Sequence, residues 1–317
     1  MSFSRILLLT LLIFSSLYAR TGAVTYEYEN GRFGDNVLNY LHAKWFSREK
    51  KIPLLYQPFP YSDQLMLSEK ETAYLDKENR NSLGLNYLIN VHIKYWPFLS
   101  RIPFLKFCYR SRYFPEDPWE LNRQKFFAYR VRWKDEKFRR MAREMIAPKK
   151  PLALIHPPKE FIGVALHVRE GGKFDSLTSK LHFPLKFPPL DFYADGIKAV
   201  LARFPNRELY CYLFTDAEQP ERMAEELRNR LPSNAPVQFH FREKNNQSED
   251  HVLEDFFSLF NFDVLIRSQS NFSMVPSLIH DFAFVYAPKD CLVENDTIVI
   301  TEVEIIMDTK LCQKLAR

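Results

Sequence analysis

The stretch FIGVALHVREGGKFD, Phe161 to Asp175, decides the fold. Its first eight residues are mostly apolar, with β-branched Ile162, Val164 and Val168, the pattern of a strand buried on both faces in a parallel sheet. The run breaks at Arg169 and is followed by Gly171 and Gly172, so His167 and Arg169 fall at the strand's carboxyl end. Ligands of open α/β sheets bind in the crevice beyond such ends, and an arginine there offers a planar fork of donors suited to phosphate or carboxylate. An anion-binding centre is expected at this point.

Strands and helices alternate downstream. Leu190 to Phe204 reads as a helix beginning near Asp191, after a basic, proline-bearing loop from Lys173 to Pro189. Glu208 to Thr215 is a buried strand ending at Asp216. Pro220 suits a first helical turn, and the helix continues from Glu221 to Leu231. Val237 to Phe241 is a short strand, and Phe256, Phe257, Leu259 and Phe260 mark a helix on the sheet. Asp263 to Ile266 returns as a strand, followed by RSQSNFS and a helix from Met274 to His280. Short strands are expected at Ala283 to Tyr286 and Thr297 to Thr301. This alternation predicts a doubly wound parallel sheet.

Three strand ends converge in that topology: His167 with Arg169, Thr215 with Asp216, and Arg267 to Ser273. The third opens a helix, so Ser268, Ser270, Asn271 and Ser273, with the backbone N–H groups, can cradle a phosphate at the positive end of the helix dipole. Arg169 supplies countercharge for a pyrophosphate, and Asp216 can accept from a base or ribose. No DxD pair occurs, so no metal or other cofactor is expected. The charge a metal would neutralise falls to Arg169, helped by Arg32, Lys173 or Arg267. Each part also has a plain reading: a satisfied histidine, a helix-capping aspartate, serines at a helix start.

Upstream, Arg5 precedes the apolar run Ile6 to Phe14, then Ser-Ser-Leu-Tyr-Ala. This reads as a secretory signal or short signal-anchor within residues 1–23, too short for an ordinary membrane-spanning helix. Cleavage is expected after Ala19 or Ala23, and the protein is expected in the secretory pathway or associated with a membrane through this segment. Tyr26 to Arg48 begins extended, turns at Gly31 and Gly34, and continues as an amphipathic helix with Val37, Leu38, Tyr40, Leu41 and Trp45, Asp35 being its expected N-cap. The glycine loop can serve an anion or sugar hydroxyl, or it is a tight turn needing positive φ. Ile52 to Tyr56 reads as a second strand. From Gln57 to Trp133 prolines recur and aromatics crowd, which fits either a sugar-stacking lobe or core packing. A charged helix from Lys134 to Ile146 and a proline-flanked linker follow, giving two lobes, 24–150 and 151–317.

Composition sharpens this outline. Only 8 glycines occur in 317 residues, against about 22 at an average usage near 7%, so those at Gly31, Gly34, Gly163, Gly171 and Gly172 are informative. The net charge of +5 without a basic tract suits an anionic small ligand rather than nucleic acid. Cys108, Cys211, Cys291 and Cys312 lack zinc-site spacing. Cys211 reads as a buried thiol, and Cys291 could pair with Cys312 in an oxidising compartment.

The motifs GRFGDN, HVR, PPLDFYADGI, LFTD and EDFFSLFNFDVLIRSQSNFS, in this order from Gly31 to Ile279, resemble the GDP-fucose-dependent fucosyltransferases. The alpha-1,2-fucosyltransferase family is nearest, with a late motif D-(L/F)-x-L-M-x-x-C-x-x-x-I-x-x-N-S-(S/T)-F-S. The GRFG start is also similar to that of the protein O-fucosyltransferases. The resemblance implies a GT-B α/β fold, two Rossmann-like lobes facing a cleft, with the acceptor on the first and GDP-fucose on the second. It implies transfer to a glycan or glycoprotein with inversion and without an obligate metal. Carried over, Arg169 binds the pyrophosphate, His167 orders the site, Asp216, Ser270 and Ser273 line the nucleotide pocket, and Gly31, Gly34 and Asn36 form the facing loop. The chain departs from the family at Glu170-Gly171-Gly172, where a second arginine and a Gly-Asp pair are common, and Asp175 or Lys173 are the candidates to substitute. It departs again at Asp35-Asn36, where Asn-Gln is usual.

Overall fold

The computed structural model describes residues 22–27, 31–82, 89–102, 105–111, 131–171, 175–243, 246 and 251–316. Residues 1–21, where a signal segment is expected, residues 83–88, 103–104 and 112–130 of the aromatic stretch, Gly172 and Lys173 lie outside them. The chain divides into two compact units, Met1–Lys150 and Pro151–Arg317. No helix among the described residues is long and apolar enough to cross a membrane.

In the first unit, β1 (Gly22–Tyr26), β5 (Phe107–Ser111) and β4 (Ile89–His92) pair in parallel in that spatial order. A second parallel pair, β2 (Leu55–Tyr56) with β3 (Thr72–Ala73), joins β1 through one bridge between Val24 and Leu54. The second strand is shorter than the expected Ile52 to Tyr56, because Pro53 has no N–H to give to a ladder. Helix α1 (Phe33–Lys50) buries Val37, Leu38, Leu41 and Trp45. Trp45 meets Phe138 of helix α2 (Glu136–Ile146) edge to face, with centroids 4.9 Å apart. Asp135 caps α2 by accepting from the Phe138 N–H and holds Arg48 of α1 at 3.0 Å.

In the second unit, β6 (Ile162–Val168), β7 (Leu209–Thr215), β8 (Val237–Phe241), β9 (Val264–Arg267) and β10 (Phe284–Glu294) are parallel, and β11 (Thr297–Met307) is antiparallel to β10 at the edge. Their spatial order is β11-β10-β9-β6-β7-β8. Alternate residues of each strand face opposite layers. Ile162, Val164, Leu166 and Val168 pack with Phe192, Tyr193 and Ile197 of α4 (Leu190–Arg203) and Met223 and Leu227 of α5 (Pro220–Asn229). Ala165, Tyr212, Phe214 and Leu265 pack on the opposite face with Leu259 and Phe262, which follow α6 (Val252–Ser258). Burying each large apolar side chain contributes about 1.5–3 kcal/mol. Helix α4 lies close to the sheet because Gly196 has no Cβ: one built there would come 2.9 Å from Tyr286 and 3.0 Å from Ile266.

In the second unit, three stretches differ from the sequence reading. The segment expected as a loop before α4 contains helix α3 (Leu177–His182) and a tight turn at Pro184–Lys186. The last helix of the site, α7 (Asn271–Ile279), starts three residues earlier than Met274. The two short terminal strands are one long hairpin, closed by Asn295 and Asp296 with φ of 48° and 59°. Its outer half carries Lys289, Asp290 and Glu294, which hide the strand period, while the Asn-Asp turn supplies the left-handed backbone such hairpins need. Helix α8 (Thr309–Leu315) ends the chain. Cys312 on it is buried and reaches the Ala283 carbonyl, so Cys291 and Cys312 are separate thiols rather than a disulfide.

Candidate functional site

The chain moves outward from β6 to β7 and β8, then returns to place β9 on the other side of β6. Crossovers diverge at that reversal, leaving the carboxyl ends of β6 and β9 open as a crevice. His167 and Arg267 are register partners on these two strands and therefore share a face. Arg169, Ser268, Gln269 and Ser270 follow immediately.

Arg169 is one-eighth exposed, at 12%, and its Nη2 contacts a carboxylate oxygen of Asp175 at 2.5 Å. Its guanidinium also lies 5.2 Å from the Phe187 ring centroid. The loop that allows this contact turns at Gly171, whose φ of +92° is left-handed and whose added Cβ would lie 2.8 Å from that of Asp175. Asp216, at the end of β7, accepts from the Glu170 N–H at 2.7 Å and the Gly171 N–H at 3.2 Å. Its carboxylate therefore pins the turn after β6. It also lines a cavity of about 560 Å³ together with Glu170, Glu218, Glu226, Lys180 and Arg222. Carboxylates outnumber cations there, and burial followed by the Asp216 charge raises the Glu170 carboxyl above its ordinary value. Such a cavity suits hydrogen-bond donors, such as a base edge or sugar hydroxyls, better than phosphate.

His167 is held from behind. Its Nδ1 lies 2.8 Å from the Ser273 hydroxyl and 3.5 Å from that of Ser268, and its ring stacks on Phe272 at 5.4 Å. Burial, reinforced by the cations Arg169 and Arg267, lowers its pKa to about 3, so the ring is neutral at physiological pH. Ser268 and Ser273 are fully buried and act on His167 rather than lining open space. Ser270 is the N-cap of α7, but its side chain makes no capping hydrogen bond. Asn271, also buried, opens the helix.

In the first unit the glycine loop is closed by its own residues. Helix α1 starts at Phe33, two residues before the expected cap at Asp35. Asp35 sits in the first turn and reaches back to accept from the Arg32 N–H at 2.9 Å, as an acidic residue at the third helical position does. Buried Asn36 donates to the Gly31 carbonyl at 2.8 Å and the Arg32 carbonyl at 3.1 Å. Neither Gly31 nor Gly34 has positive φ; among the described residues Gly171 is the glycine that does. Gly31 is instead needed for close approach, since a Cβ there would lie 2.8 Å from the Asp35 Cβ.

Sequence reasoning did not find Phe187, Glu218, Glu226 or Arg222 as neighbours of the site. Phe187 stood in a loop without periodicity, and the others are the exposed face of an ordinary amphipathic helix start.

No protein-family model matches the sequence, and no curated protein matches it. Solved structures do. A point mutant of Arabidopsis thaliana FUT1 in complex with GDP superposes with a TM-score of 0.52 at 13% identity, covering 88% of this chain and 72% of FUT1. Fucosyltransferase NodZ from Bradyrhizobium aligns with a TM-score of 0.46 at 12% identity over 91% of this chain and 99% of its own. NodZ alpha-1,6-fucosyltransferase soaked with GDP-fucose gives 0.46 at 11% identity over the same shares. With parallel sheets in both units, the chain has the α/β, GT-B-type fold of FUT1.

Proposed function

We propose that this chain is a GDP-fucose-dependent glycosyltransferase that moves L-fucose to a hydroxyl of a glycan or glycoprotein, with inversion and without a metal. The observation that carries the reading is the sheet reversal, which gathers His167, Arg169 and the β9–α7 loop at one crevice in a fold shared with a GDP complex. In the proposed reaction an acceptor oxygen bonds to the fucose anomeric carbon as the bond to the diphosphate breaks. The electron pair leaves on GDP, and the acceptor proton passes to a carboxylate, for which Asp35 and Asp175 are candidates. Arg169 and the opening of α7 stabilise the departing diphosphate, while His167, fixed by Ser273 and Ser268, shapes the crevice as a neutral ring. Asp216 holds the β6 turn beside the nucleoside cavity, Ser270 and Asn271 flank the phosphates, and Gly31, Gly34 and Asn36 belong to the acceptor-side unit. The motif order supports placement nearest the alpha-1,2-fucosyltransferases, with the GRFG loop akin to that of the O-fucosyltransferases. The amino-terminal segment supports a secretory or membrane-associated setting.

The test is GDP release from GDP-fucose by the full chain, with a panel of glycan acceptors. Replacing Arg169 by Ala is expected to lower turnover about 100-fold or more, the scale for loss of a donor to a leaving group. Unchanged turnover would remove Arg169 from the mechanism. A second reading, a non-catalytic nucleotide- or glycan-binding protein, draws on the Arg169–Asp175 ion pair and on Glu170 at the site. Binding of GDP-fucose with no donor breakdown under any acceptor would put that reading first. Equal competition by other nucleotide sugars would instead point to a transferase with a different donor.

A further inference from the structure

The crevice holds two arginines in different electrostatic states. Arg169 is neutralised by Asp175. Arg267 is more deeply buried, at 5% exposure, and its Nη1 donates to the Ser268 carbonyl and the Gln269 side-chain carbonyl. These acceptors are neutral dipoles: they orient the guanidinium without cancelling its charge. Among the described residues no carboxylate forms an ion pair with Arg267, and exposed Glu304 acts on it only from a distance. Its Nε, like that of Arg169, is buried and has no acceptor among the described residues. Burial lowers its pKa to about 10, so it stays charged at neutral pH. An uncompensated buried cation is strongly unfavourable unless an anion meets it. The loop that carries Arg267 runs straight into α7, where the Ser270 hydroxyl leaves the helix start uncapped. Backbone N–H groups at such a start favour an anion.

Resting on the reading above, we infer that Arg267 is the cation that meets the diphosphate, seating it against the start of α7, while Arg169 is reserved by Asp175 until ligand arrives. The second cation missing at Glu170 is thus supplied from the neighbouring strand, one register position across the sheet from His167.

The experiment titrates the full chain calorimetrically with GDP, guanosine and inorganic pyrophosphate, for wild type, Arg267→Lys and Arg267→Gln. Thermal unfolding of each variant is followed in parallel. Arg267→Gln is expected to weaken GDP and pyrophosphate about 20-fold or more, and Arg267→Lys about 5-fold or less, charge being retained though not the fork. Guanosine affinity should be the same in all three. If Arg267→Gln does not fold, the Arg Nε–H proton resonance that disappears in Arg267→Lys is followed in wild type and should move downfield as GDP is added. GDP affinity that is equal in wild type and Arg267→Gln, or an Nε–H resonance indifferent to GDP, overturns the inference while the proposed function stands. So do equal losses of affinity and of melting temperature in both variants, which would mark a loop staple. Pyrophosphate binding that depends on Arg267, with no GDP binding, overturns the proposed function and keeps the anion seat. Binding of neither overturns both.

Discussion

Each unit places a short loop ahead of a helix at the end of its parallel sheet: Gly31–Arg32 before α1, and Ser268–Ser270 before α7. In the first, Asp35 and Asn36 turn back onto the loop and take its N–H and carbonyl groups. Neither N-cap side chain, Arg32 or Ser270, makes a capping hydrogen bond, but in the second loop a charged, buried arginine precedes the helix with no carboxylate paired to it among the described residues. Helix starts with similar polar sequences therefore differ in what remains for a ligand. A loop satisfied by its own side chains is a structural joint. One that leaves a buried positive charge without a paired carboxylate among the described residues is a seat for an anion.

The largest expected effect tests whether both units are equally intolerant of buried charge. Each has one buried histidine, His42 on α1 with its pKa lowered by burial to about 4, and His167 at about 3. Unfolded histidine titrates near 6.5, so below that value the unfolded chain takes up protons that the folded one refuses. Stability is retained above about pH 6.5 and lost progressively as pH falls toward the folded values. Between about pH 7 and pH 5 each histidine should cost about 2 kcal/mol, read as a drop in the denaturant midpoint. His42→Gln and His167→Gln should each flatten the pH dependence of their own unit. A wild-type midpoint that is level over this range would show that the rings are reached by water.

A smaller effect separates the two loops. Asn36→Ala should destabilise the first unit by about 1–3 kcal/mol, since it leaves two loop carbonyls without their buried donor. Ser270→Ala should change stability by less than about 0.5 kcal/mol, because the lost hydroxyl caps nothing, yet it should weaken GDP binding several-fold. Both variants are read by denaturant unfolding, the second also by calorimetry. If Ser270→Ala lost as much stability as a true cap, about 1 kcal/mol, the contrast between the loops would collapse.

Much of the second unit was legible because strands buried on both faces, such as Ile162–Val168 and Leu209–Thr215, appear as unbroken apolar runs with a polar residue at the functional end. The first unit was less so, its strands being short and broken by prolines such as Pro53. The positions of His167, Arg169 and Ser268–Ser273 followed from those run ends. Their partnerships did not. The Ser273–His167 contact spans a sequence separation of 106 residues, and the Asp216 carboxylate reaches a turn 45 residues away. Such contacts have no period to read. Arg267 looked like one of several helper cations because burial without a paired carboxylate is a property of the folded neighbourhood and not of the residue.

The β10–β11 hairpin adds a consequence in time. At its base, Phe284 to Tyr286 are zipped on both sides, to β9 and to β11, and the Pro288 carbonyl accepts from the Gln269 side chain, whereas from Lys289 onward the strand's ladder among the described residues is to β11 alone. The arm therefore has no single lifetime. Its tip can part and re-form on its own, while its base opens only with the whole sheet, so the protection of its amides rises step by step from Asn295 toward the core.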